Sequence, residues 1–199
     1  MKQGDAMRAR VIYESLYGNT ERVAQAVARG LAGRSDVVVD VVEVSAADGS
    51  LDGIDLLVVG GPIHAWGMSR ASTRDSARQD AQRLGLAVVS REGGIRDWLD
   101  RLVGAPPGLQ AATFDTAIRL SRWFPTGSAA RPAAKRLARL DIPAVAAAEH
   151  FYVEAKEGPL CEGELERAEA WGAGLADACL VAGGQGGGEI PRTHTMPLS

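Results

Sequence analysis

The sequence predicts an α/β fold, a doubly wound five-stranded parallel sheet in three αβα layers, and three observations carry that prediction. Short apolar runs alternate along the chain with segments whose apolar residues recur at three and four positions, the helix period. The run Leu56-Leu57-Val58-Val59 is apolar without alternation, as suits a strand covered on both faces of a parallel sheet. The first apolar run, Val11-Ile12-Tyr13, passes through a polar loop straight into a helical pattern carried by Val23, Ala24, Val27, Ala28 and Leu31. For five such strands the expected order is 2-1-3-4-5, with a ligand crevice at the carboxyl ends of strands 1, 3 and 4.

Each element has its own signal. Val37 to Val42 reads as a β-branched second strand, and Asp48-Gly49-Ser50 with Asp52-Gly53 as a turn. Asp55 to Gly60 is the third strand, ended by Gly60-Gly61-Pro62, with Ile63 to Ser69 as a loop. Thr73 to Leu84 reads as a charged, Ala-rich surface helix. Leu86 to Ser90 fits either its continuation or an extra turn. Ile95, Trp98, Leu99 and Leu102 mark an amphipathic helix that Pro106-Pro107-Gly108 closes. Ala111 to Thr116 is the fourth strand, and a long loop runs to Thr126-Gly127. Ala129 to Leu140 is a basic helix that tolerates Pro132 in its first turn. Val145 to Val153 is the fifth strand and Glu164 to Val181 the closing helix. The expected organisation is one domain over residues 8–182, followed by a Gly-rich disordered tail over 183–199.

Composition narrows the function classes. Among 199 residues, 46% are hydrophobic, enough for a proper core, and the net charge of −3 gives no global reason to expect nucleic acid. The two cysteines, Cys161 and Cys179, form neither a disulfide framework nor a zinc pattern, and both read as passive. No leader-like apolar region opens the chain, and no apolar run approaches the roughly 18 residues of a membrane span, so the cytoplasm is the expected location.

The chemistry concentrates in Ser15-Leu16-Tyr17-Gly18-Asn19-Thr20. The first amides of a helix have no partners within it and favour an anion. Ser15, Asn19 and Thr20 add side-chain donors, Gly18 lets backbone come close, and the Thr20 hydroxyl is placed to cap the helix. The loop has no Lys or Arg, so a phosphate here would be held by amides and hydroxyls. Dinucleotide and P-loop fingerprints are both absent: only Gly18 is present, and no Lys follows.

What this stretch resembles is the phosphate loop of the flavodoxin family. That pattern has an apolar pair and an aromatic, then Ser/Thr, a small residue and Thr, followed by Ala and an aliphatic at helical spacing. Here it is filled by Val11-Ile12-Tyr13, Ser15, Gly18, Thr20, Ala24 and Val27. Tyr17 stands where small electron carriers of the family tend to have Thr. The resemblance implies a flavodoxin-like fold and an FMN cofactor, with Ser15 to Thr20 at its phosphate.

It further implies a second loop, Pro62, Ile63, His64, Ala65, Trp66 and Gly67, over one face of the flavin ring. There Trp66 would stack, and a peptide flip ahead of Gly67 would offer the Trp66 carbonyl to the flavin N5. His64 would lie near the ring. A third loop, beginning with Asp115 and Thr116 and ending near Gly127, would cover the other face, with Trp123 or Phe124 stacking. It is longer than the family's usual loop and lacks the Gly-rich turn expected after the strand.

Charge separates this chain from acidic electron carriers. From Thr116 to Leu140 stand six basic residues and no acid: Arg119, Arg122, Arg131, Lys135, Arg136 and Arg139. They could steer an acidic protein partner or an anionic substrate, or form a solvated helix face. The first functional expectation is an FMN electron-transfer protein that cycles the flavin between quinone, semiquinone and hydroquinone. Redox proteins would be its partners, without nucleic acid or membrane. An FMN enzyme, either a NAD(P)H:quinone reductase or a protoporphyrinogen-oxidase-like protein, is the alternative, and a non-redox interaction module the further one. No catalytic side chain and no metal ligand set is expected. A phosphorelay receiver is disfavoured because Glu14 stands alone at the first strand's end.

Overall fold

A computed structural model describes residues 6–119 and 127–184. In chain order the elements are β1 (Met7–Tyr13), α1 (Asn19–Ala32), β2 (Val37–Glu43), β3 (Leu56–Pro62), α2 (Ala71–Leu84), α3 (Ile95–Arg101), β4 (Gln110–Ile118), α4 (Ala130–Ala138), β5 (Glu149–Val153) and α5 (Glu164–Gly184). The five strands form one parallel sheet in the order β2-β1-β3-β4-β5, as expected. The strict alternation of strand and helix does not hold. The connection from β2 to β3 carries no helix, whereas that from β3 to β4 carries two.

Two apolar layers sandwich the sheet. On one face Val23, Val27 and Leu31 of α1 pack with Leu175 and Ala176 of α5 against Val11, Val58 and Phe114. Phe114, Phe151 and Trp171 meet edge to face at centroid distances of 5.9–6.1 Å, and the Arg167 guanidinium lies 4.4 Å above the Phe151 ring. The α1 and α5 backbones approach so closely at Gly30 and Gly172 that a Cβ on either would strike the other helix's main chain. On the opposite face Ile12, Leu57 and Val59 meet Trp98 and Leu99 of α3 and Leu137 of α4.

Several boundaries move. Residues 86–90 form neither more helix nor a new turn of one. They run as a loop beside the first loop, where the Val89 and Ser90 amides donate to the Leu16 and Ser15 carbonyls at 3.1 and 2.7 Å. The fifth strand starts at Glu149, not Val145, because only a single bridge, Ala111 with Ala144, pairs the earlier residues. α5 continues through Gly183 and Gly184, past the expected start of the tail; residues 185–199 lie outside the described residues.

Candidate functional site

At the carboxyl ends of β1, β3, β4 and β5 a cleft of about 250 Å³ opens. Ser15, Leu16, Tyr17, Asn19 and Thr20 wall it from the first loop, Pro62, Ile63, His64 and Ala65 from the second, and Thr116 and Ile118 from β4. Val153 and Lys156 close it from the β5 end.

The first loop is tied at its root and open at its tip. The Ser15 amide donates to the Ser90 hydroxyl at 2.9 Å. The Ser15 hydroxyl is fully buried and has no partner. Gly18 is the residue before α1, in the left-handed region at φ 83°, and no side chain caps the helix. Its first amides therefore face the cleft end without an oxygen to bind. Thr20 does not cap the helix as expected. It sits inside the first turn, and its hydroxyl shares a hydrogen bond of 2.8 Å with that of Thr116. The Asn19 amide group donates to the Glu157 carbonyl at 2.9 Å, and the Tyr17 hydroxyl to the Ala77 carbonyl at 3.3 Å.

The second loop differs from the expectation at its tip. His64 and Gly67 exchange backbone hydrogen bonds of 2.7 and 3.0 Å, which closes a two-residue hairpin turn. Both central residues are left-handed, Ala65 at φ 44° and Trp66 at φ 72°, a geometry that Asn and Gly usually supply. Strain at a non-glycine residue persists only when the surroundings hold it. Here the Trp66 carbonyl accepts from the Ser128 amide at 3.2 Å, and Gly127, at φ 74°, lies so close that a Cβ would collide with the Trp66 backbone. The Trp66 carbonyl is thus already engaged, and Gly67 is not in the left-handed region, so the peptide flip expected there has no support. Trp66 is 66% exposed and stands outside the cleft wall, so it does not stack within it.

His64 does reach the cleft. Burial, with the nearby charges of Lys156 and Arg74, pushes its pKa down to about 4, so it is a neutral imidazole at pH 7.

Of the third loop, Thr116 lines the cleft and Asp115 does not. The Asp115 carboxylate is fully buried and accepts from the Ser128 hydroxyl and the Ala129 and Ala130 amides at 2.8–2.9 Å, which caps α4. Its other oxygen pairs with His150 Nδ1 at 2.6 Å. Gly127 serves the second loop as described, and Trp123 and Phe124 lie outside the described residues.

Behind the loops lies a buried polar cluster. Glu14 is 1% exposed; one oxygen accepts from the Ile95 amide at 2.9 Å and the other has no partner. Burial raises its pKa, opposed by hydrogen bonds from Ser69 and Ile95 and by the Arg74 charge. The buried Arg74 guanidinium donates to Ser69 Oγ at 2.9 Å and Asp97 at 2.5 Å. The cluster fastens α2, α3 and the second loop to the end of β1. Lys156 and Arg74 were missed because neither sits in a motif: one follows the fifth strand and the other is a single cation in a charged helix. Both cysteines are buried, and burial lifts the Cys179 thiol to about 11, consistent with passive roles.

The fold and this cleft define a doubly wound α/β protein whose first strand is followed by a loop and a helix start that no side chain caps. Residues 10–83 match the family model for the flavodoxin domain. Among solved structures, flavodoxin 2 from Bacillus cereus is similar at 18% identity and a TM-score of 0.60, covering 85% of this chain and 98% of that one. A flavodoxin from the domain Archaea gives 16%, 0.57, 87% and 99%. A short-chain flavodoxin associated with a non-canonical PDU bacterial microcompartment gives 19%, 0.58, 87% and 99%. These likenesses concern the fold. A comparison with curated proteins found no match. Among the described residues no helix is long and apolar enough to cross a membrane, and no group of three or more potential metal ligands occurs.

Proposed function

We propose that the cleft binds FMN and that the protein transfers electrons through it. The observation that carries this reading is the buried, unpartnered Ser15 hydroxyl beside the uncapped amides of α1. A buried hydroxyl without a partner costs roughly 1–3 kcal/mol, and a phosphate oxygen would remove that cost. Ser15, Asn19 and the first α1 amides would hold the phosphate. Neutral His64, Ile63 and Pro62 would bound the flat end of the ligand from one side, with Ile118 and Val153 also in the wall. FMN, when bound, supplies the one- and two-electron chemistry. The chain contributes binding, exclusion of water and a neutral hydrogen-bonding imidazole.

A second feature supports an acidic redox partner. Arg96 donates to the Met68 and Ser69 carbonyls at 3.0 Å, and burial, then the charges of Arg136 and Arg70, lowers its pKa against Asp100 and Asp97. These cations, with Asp97 and Asp100 among them, would offer such a partner a charged docking surface. The same cluster would serve an anionic substrate, which is the enzyme reading.

The test is a visible spectrum of the purified chain after adding FMN, then stepwise reduction with and without NAD(P)H. Tight binding without direct NAD(P)H oxidation is the expected result. Rapid NAD(P)H oxidation with a quinone acceptor transfers the reading to an FMN reductase. Failure to bind flavin overturns both and leaves an interaction module.

A further inference from the structure

We propose that Lys156 is the cation of the cleft's phosphate end, and that it makes this chain select a phosphorylated flavin over the unphosphorylated one. The inference rests on the flavin reading above. The first loop has no Lys or Arg, and among the described residues that wall the cleft Lys156 is the one cation and no carboxylate is present. It comes from the turn after β5, outside the stretch that carries the family pattern. That turn is fixed to the first loop. The Glu157 carbonyl accepts from Asn19, and Gly158, at φ 108°, packs against the Asn19 amide group where a Cβ would collide. The chain thus carries Lys156 across the loop.

There the ammonium pairs with Asp80 of α2. Asp80 raises the Lys156 pKa, so the side chain stays charged at neutral pH. The Lys156 side chain is 46% exposed and the Asp80 side chain 34%, so water screens the pair and it holds the ammonium only weakly. A phosphate dianion at the buried Ser15 hydroxyl and the α1 amides would compete for that ammonium; a ribityl hydroxyl would not.

The experiment titrates wild type, Lys156→Gln and Asp80→Asn with FMN and with riboflavin, at low and high salt. Lys156→Gln should weaken FMN about five- to tenfold at low salt, less at high salt, and leave riboflavin within about twofold. Asp80→Asn, which frees the ammonium, should tighten FMN and leave riboflavin unchanged. Equal weakening of both flavins by the two variants would make Lys156 a structural tie between the β5 turn and α2, and would overturn the proposal, as would no change in either. If wild type binds neither flavin, the cofactor reading falls and this inference with it. If wild type binds both and Lys156→Gln does not separate them, only the inference falls.

Discussion

α1 and α2 are each fourteen residues long, yet they join the molecule by different physics. α1 buries eight residues, all but Thr20 apolar or Gly, between the sheet and α5. α2 buries three, Arg74, Ala77 and Ala81. It is held over the loops by the Arg74 contacts to Ser69 and Asp97, by the Tyr17 hydroxyl on the Ala77 carbonyl and by the Lys156–Asp80 pair. Apolar burial is non-directional and survives small shifts, whereas a polar clasp depends on geometry and ionisation. The helix that follows the first loop is therefore built into the core, and the helix that overhangs the cleft is fastened by groups that single substitutions can release.

The largest expected effect breaks the α1 side. Leu31→Ala removes a fully buried side chain and should cost about 2–5 kcal/mol of global stability, read as a shift of the denaturant midpoint with the slope unchanged. On the α2 side, Arg74→Ala should cost about 2–3 kcal/mol, since it leaves Glu14 and Ser69 without their cation while Asp97 is partly solvated. Its signature should be local. Amide exchange should accelerate in α2 and residues 63–70 before it does in α1, and uniform acceleration would refute the contrast.

pH sharpens the comparison next. His64 has a folded pKa of about 4, below the ordinary 6.5, so the unfolded chain takes up the proton first as pH falls. The stability tied to neutral His64 is fully present above pH 6.5 and is lost between 6.5 and 4. The unfolding free-energy difference between wild type and His64→Gln should shrink over that window by no more than about 2 kcal/mol after screening. Glu14 acts in the opposite sense, because its raised pKa favours the folded state below the ordinary carboxyl value and loses that advantage as pH rises. A flat His64 difference across the window would refute the assignment.

The smallest effect carries the reversed sign. Ser15→Ala removes an unpaired buried hydroxyl, so the ligand-free protein should gain up to about 1 kcal/mol while FMN binding weakens. Loss of stability together with unchanged flavin binding would show that the hydroxyl serves the fold.

Strand order, layer arrangement and the first loop were legible because their signals are local. An apolar run fills a parallel strand, and a Ser/Thr/Gly-rich link joins a strand to a helix with period-3.6 apolar residues. The second loop was legible only in outline. The family resemblance implied that Trp66 would stack and its peptide flip, yet Ser128 and Gly127 hold the Trp66 backbone, and they stand some sixty positions away. Asp115 read as a loop residue at the ligand. The register that sets it against His150, and the nearness of the α4 amides, turned it into a helix cap.

By itself the sequence determined which segments become strands and helices, their order in the sheet and which loop leads into unpaired helix amides. Those properties depend on residue types at short spacing, and side-chain period and unpaired helix amides follow from them directly. Only the tertiary structure decided which polar groups remain unpaired. It left the Ser15 hydroxyl open, engaged the Trp66 carbonyl, brought Lys156 to the cleft and buried Arg74 beside Glu14. Each of these outcomes depends on partners from distant segments, and hydrogen bonds and charge pairs form only where folding brings those segments within about 3 Å.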